Sequence, residues 1–168
     1  CALPILASTL DTVVSFNLSN YQRLTYTDKS TAFDVTGHAG DVYALLKASF
    51  GGTVNTTYEG LGIKMEDAGQ TSLAVANAIV NSAPFTTASG GSDNASFVNY
   101  VYTNVVGSAP SPVQALPYIT ELVTGVATKA DLLTAAAHLS SFQQTIGLVG
   151  ANNTTGVLSG TGIDFIPA

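Results

Sequence analysis

A chain of 168 residues, 46% apolar and only 10% charged, is long enough for one domain with a buried core and must clothe its surface in Thr, Ser, Asn and Gln. Its five fixed cations, Arg23, Lys29, Lys47, Lys64 and Lys129, are scattered through a chain of net charge −6, which excludes the basic cluster that nucleic acid or an anionic membrane surface requires. No apolar run approaches the roughly 18–20 residues that span a bilayer, and the single cysteine, Cys1, excludes a disulfide framework or a cysteine-based metal site.

Residues 1–7 read as an assembly artefact or leader remnant of a gene that extends upstream. Residues 8–37 form a β-rich lead-in. Thr12-Val13-Val14-Ser15-Phe16, Leu24-Thr25-Tyr26-Thr27 and Thr31-Ala32-Phe33-Asp34-Val35 are rich in β-branched and aromatic residues, and Asn17, Asn20, Asp28 and Lys29 punctuate them, which predicts two or three short strands.

From Ala39 the period turns helical. Val42, Leu45, Leu46, Ser49 and Phe50 make a continuous stripe that stops at Gly51-Gly52. A weaker helix is expected over residues 58–66, diluted by Gly60 and Gly62, and a third from near Thr71 to before Pro84. Asp93 or Asn94 caps a strong helix bearing Phe97, Val98, Val101, Tyr102, Val105 and Val106, which Gly107 ends. Ser111-Pro112 opens the next, ending at Gly125 with Pro117 in its first turns. Thr128-Lys129-Ala130-Asp131 reads as a capping box for a helix through Leu139, with a last turn over residues 142–148. From Ala151 the Asn/Thr/Gly-rich tail, residues 151–168, is expected to be extended or loose.

An internal repeat organises the helices. Val42-x-x-Leu45-Leu46-x-x-x-Phe50-Gly51 superimposes on Val98-x-x-Val101-Tyr102-x-x-x-Val106-Gly107 about 56 positions later, Gly69 corresponds to Gly125, and residues 73–80 to residues 130–137. The expected fold is mainly α: two tandem three-helix units, about 39–88 and 93–148, packed as one bundle within a helical repeat domain over 38–150, preceded by a short β-hairpin segment.

The ordered series Gly40-Asp41-Val42-Tyr43-x-Leu45, Val75-Ala76-Asn77-x-x-x-Asn81-Ser82-x-x-Phe85, Asp93-Asn94-Ala95-x-Phe97-Val98-Asn99-x-Val101-Tyr102-x-Asn104-Val105-Val106-Gly107 and Leu122-x-x-Gly125 with Thr128 resembles the bacterial "domain of unknown function 4214" family. The resemblance spans roughly residues 20–148. It departs from the family where an Arg-x-Pro-Asp turn is replaced by Gly52-Thr53-Val54-Asn55 and by Ser108-Ala109-Pro110-Ser111, and where Lys64-Met65 and Tyr118-Ile119 stand for middle-helix aromatics. It implies an exported, cell-surface or adhesin-like polypeptide with no assigned activity.

Catalytic chemistry finds little support. His38 and His138 are the only histidines; the first is expected to make a local hydrogen bond, the second to sit favourably at a helix C-terminus. Glu59, Glu66, Asp67 and Glu121 read as solvated helix or loop faces rather than a paired-carboxylate site. Asp28, Asp34 and Asp93 carry oxygen ligands of the kind calcium takes, yet Gly90-Gly91-Ser92-Asp93 is a single loop, and a helix cap accounts for Asp93. No cofactor and no catalytic residues are expected. Tyr43, Phe50, Phe97, Tyr100 and Tyr102 read as core; Tyr21, Tyr26 and Tyr58 as exposed. The expectation is a non-catalytic structural or adhesive module of a secreted bacterial surface protein, touching envelope or host polysaccharide or other surface-protein segments. The alternative is an accessory domain of a larger secreted enzyme.

Overall fold

A computed structural model describes residues 23–148 and 162–168. Eight helices follow two short strands: β1 (Arg23–Thr25), β2 (Ser30–Ala32), α1 (His38–Phe50), α2 (Thr56–Asp67), α3 (Ser72–Val80), α4 (Ala83–Ala88), α5 (Asn94–Val106), α6 (Pro112–Thr124), α7 (Lys129–Ala137) and α8 (Ser140–Thr145), before β3 (Ile163–Phe165). The expected mainly helical fold is the one observed, and the boundaries follow from the caps. Asn55 accepts from the amides of Thr57 and Tyr58, Thr71 from Ala74, and Asp93 from Ser96. Reciprocal capping boxes, Ser111 with Gln114 and Thr128 with Asp131, open α6 and α7. Gly107 and Gly125 take the left-handed conformation that ends α5 and α6. Pro117 is accommodated inside α6, which runs on to Thr124.

Each unit has four helices, not three. Ser82, followed by Ala83-Pro84, caps the short α4, and α8 begins after Leu139 in the corresponding place. The two sets run in register: α5 and α6 start 56 positions after α1 and α2, and α7 and α8 start 57 positions after α3 and α4. Only the joint before the third helix has gained a residue.

The core lies where the units meet. α1 is central, packing on α2 and α3 of its own unit and on α5 and α7 of the other, while α3 lies against α7. Val42 and Leu45 of α1, Phe97 and Val101 of α5, and Leu133 of α7 are buried together in one apolar cluster. Phe85, from the unexpected α4, reaches between the units, its ring 6.1 Å from Phe50, 5.9 Å from Phe97 and 5.9 Å from Tyr100.

The C-terminal segment supplies the main correction. Where an extended or loose tail was expected over 151–168, Ile163–Phe165 is a third strand, antiparallel to β2 in a sheet of order β1-β2-β3. Its alternation explains the fit: Ile163 and Phe165 are buried, while Asp164 turns outward to bond Thr31 at 2.6 Å and Lys29 at 2.6 Å. β3 rests on α2. The Ile166 amide donates to the Thr56 carbonyl at 2.9 Å, and a β-carbon at Gly60 would collide with the Ile166 carbonyl oxygen. Gly60 therefore makes a seat for a strand. The strand expected at Thr12-Val13-Val14-Ser15-Phe16 lies outside the described residues.

Candidate functional site

Two regions draw chemistry together, one polar and one apolar. The polar region lies where the sheet meets the ends of α1 and α2. Arg23 on β1 grips Asp67 with both terminal guanidinium nitrogens and reaches Asp34 at 3.1 Å. Asp67 also lies 2.8 Å from the His38 Nδ1. His38 opens α1 and Asp67 closes α2, so each charge sits at the helix end that its macrodipole disfavours, and their pairing offsets both. The Asp67 contact lifts the His38 pKa above 6.5, and Arg23, followed by His38, holds the Asp67 carboxyl below its ordinary range. His38 thus bonds across 29 residues of sequence instead of locally.

A second branch joins the units. Asp41 in the first turn of α1 accepts from the Ser72 hydroxyl at 3.1 Å and lies 3.3 Å from the Nε2 of His138, the C-cap of α7. A nucleophilic triad places histidine between hydroxyl and acid. Here the acid stands in the middle, and the Asp41 carboxylate, not a histidine, meets the Ser72 hydroxyl.

Glu59 and Glu66 overturn the surface reading. They lie seven residues apart on the inward face of α2, together with Ile63, and are 0% and 3% exposed. Among the described residues neither oxygen of Glu59 has a hydrogen-bond partner, nor has Oε1 of Glu66. Burial drives the Glu59 carboxyl well above its ordinary value, with the charges of Asp34 and Glu66 adding to the shift. Burial likewise pushes Glu66 up to about 7, helped by Asp41 and restrained by Ser72, His38 and His138. Neither carboxyl is among the residues that line the two grooves described below. Sequence reasoning missed them because an isolated Glu on a glycine-diluted helix carries no hydrophobic stripe to orient it; the flanking Gly60 and Gly62, which let neighbours press close, were the available signal.

The remaining acids are spread out. Asp93 caps α5, Asp131 caps α7, and among the described residues no group of three or more His, Cys, Asp or Glu side chains converges as a metal-ion site.

The apolar region is a groove of about 180 Å³ between α5, α6 and α7. A groove of about 140 Å³ occupies the same place in the first unit. Their walls correspond across the repeat: Val98 with Val42, Tyr102 with Leu46, Val106 with Phe50, Tyr118 with Gly62, and Leu132 with Val75. The decisive exchange is Tyr118 for Gly62. A β-carbon at Gly62 would collide with Val42, so α2 presses onto α1, whereas Tyr118 adds a ring to the wall of the second groove.

Beside this groove, α6 has an outer face that its counterpart lacks. Leu116 corresponds to Gly60 but is 61% exposed, and Val113 is 81% and Val123 72% exposed. Val113, Leu116, Pro117, Thr120, Val123 and Thr124 form an uncharged stripe at helical spacing. Among the described residues nothing plays for α6 the part that β3 plays for α2.

Residues 76–145 match the model of the family Domain of unknown function (DUF4214). The matched segment runs from within α3 through α8, so it holds the whole second unit, the bare α6 face and the larger of the two grooves. α1 and α2 precede it and repeat the helix order of α5 and α6. No curated protein and no solved structure matches the chain. Among the described residues, no helix is long and apolar enough to cross a membrane.

Proposed function

We propose that this chain is a non-catalytic adhesive or structural module of a secreted bacterial cell-surface protein, and that it engages other surface-protein segments through the second unit. The observation that carries this reading is the apolar groove between α5, α6 and α7 standing open beside the uncharged outer face of α6. Contiguous exposed apolar surface of this kind marks interaction sites. The polar region supports the non-catalytic part of the reading, because its side chains are spent on holding helix ends and sheet together. A groove walled by valine, leucine and two tyrosines suits an apolar protein segment better than a polysaccharide, whose hydroxyls would find few partners there.

The test is binding of the full chain to bacterial surface-protein fractions, to glycan arrays and to whole cells, with and without calcium. Saturable binding lost in Leu116→Asp, with helicity retained, is the expected result. Glycan binding indifferent to Leu116→Asp would move the site to Tyr26 and Tyr58, which are exposed. Hydrolysis of any offered glycan or peptide would overturn the non-catalytic reading.

A further inference from the structure

The buried carboxyls of α2 have no part in an adhesive surface, yet their placement is specific. Glu59 and Glu66 stand two turns apart, about 10 Å along the axis, on the face that α2 turns inward. The fixed cations near them are engaged elsewhere or held off. Arg23 spends its guanidinium on Asp34 and Asp67, and Lys64 is exposed. Facing Glu59 are Asp34 from the turn before α1, whose Oδ1 is itself buried and unpaired, and Tyr43 from α1. Facing Glu66 are Asp41 and His38 from α1, Ser72 from α3 and His138 from the end of α7. Glu59, with neither donor nor counter-ion, is held neutral by burial; at Glu66 burial and the charge of Asp41 outweigh the Ser72 hydroxyl and the two histidines, which favour the ionised form.

α2 is also the seat of the sheet. Thr56 holds the Ile166 amide, and Gly60, adjacent to Glu59, receives the Ile166 carbonyl against the helix backbone. Whatever displaces the first two turns of α2 therefore displaces β3.

We propose that Glu59 and Glu66 make the docking of α2 a proton-dependent clasp: with both carboxyls neutral, α2 stays packed against α1 and beneath β3, and ionisation of the two loosens α2 and β3 together. The direction follows from linkage. Both groups bind protons more tightly in the folded chain than in an exposed one, so docking is complete below the ordinary glutamate range. It weakens as pH rises from about 4.5 towards and beyond about 7, the value for Glu66. His38, whose pKa stands above 6.5, gives up its charge over the same range, which withdraws a charge that favours Glu66 ionisation; its own contact with Asp67 fades there too, a small contribution because half of the imidazole is in solvent.

The experiment is hydrogen exchange by mass spectrometry on the full chain at pH 5 and pH 8, corrected for intrinsic exchange rates. Peptides covering α2 and β3 are expected to lose at least about tenfold in protection at pH 8, one decade for each pKa unit the docked state must overcome. Peptides covering α5 are expected to keep theirs. The double variant Glu59→Gln, Glu66→Gln mimics the neutral acids in shape and is expected to hold α2 and β3 equally protected at both pH values. Equal protection of wild-type α2 and β3 at the two pH values would overturn the proposal. So would an unchanged loss in the double variant, or a loss spread uniformly over α5.

Discussion

The side-chain amide of Asn104 donates to the Ala48 carbonyl at 3.1 Å, and the two residues hold the same place in the two units, 56 positions apart. A residue that touches its own repeat equivalent lies close to an axis of approximate two-fold symmetry, as in an isologous dimer interface. α1 against α5 and α3 against α7 are then equivalent helices meeting each other. Asn104→Ala removes the donor and leaves a part-buried helix carbonyl without its extra partner. A loss of about 1–2 kcal/mol, read as a lower urea midpoint with unchanged m, is expected.

Phe85 is the aromatic tie between units, 2% exposed and in ring contact with Phe50, Phe97 and Tyr100. Phe85→Ala empties the space shared by both halves and is expected to cost about 3–5 kcal/mol. Because the cluster spans both units, calorimetry should show one transition at lower temperature. Two separated transitions would mean that the halves melt independently.

The paired positions Gly60 and Leu116 predict opposite responses to alanine. At Gly60 the added carbon meets the Ile166 carbonyl and must displace β3, so Gly60→Ala is expected to destabilise by about 1–3 kcal/mol and to expose the C-terminal strand to protease. Leu116→Ala trims an exposed side chain and should stay within about 0.5 kcal/mol of wild type in a thermal melt.

The His38–Asp67 contact has its own pH signature. A histidine whose folded pKa is raised contributes stability fully below its unfolded value of 6.5, and the contribution fades as pH rises through the folded value. The Asp67 carboxylate, held low, contributes above its ordinary 3.8 and loses that contribution in acid. The difference in melting temperature between wild type and His38→Gln is therefore expected to be greatest below 6.5 and above 3.8 and to fade as pH rises through the folded value, remaining small because half of the imidazole is in solvent. An NMR titration should place the His38 pKa above 6.5 and show it falling in Asp67→Asn.

Much of the fold was legible because local chemistry and tertiary structure agree. Asp93, Ser111-Pro112 and Thr128 start helices where their side chains can satisfy free amides, Gly107 and Gly125 stop them, and the Val42–Phe50 stripe repeats at Val98–Val106. α4 escaped because six residues are too few to show a period; only Ser82 and Pro84 announce it. β3 escaped for a different reason. Three residues can read as a strand only once their partner is known, and the partner, β2, lies far back in the chain, Thr31 standing 133 positions before the Asp164 it faces. At the candidate site, the groove was hidden in the contrast between Gly62 and Tyr118, whose meaning depends on the helix each one faces.

The sheet has a mechanical consequence. β1 and β3 run parallel to each other on either side of β2, with Arg23 level with Ile163 and Thr25 level with Phe165. Tension applied between the start of β1 and the end of β3 would slide the strands along one another and strain the ladder bonds together instead of parting them one by one. The eight described helices all lie in the chain between Ala32 and Ile163. They would carry no load until that small sheet gave way, so the helical body would hang from the line of force like a pendant from a closed link.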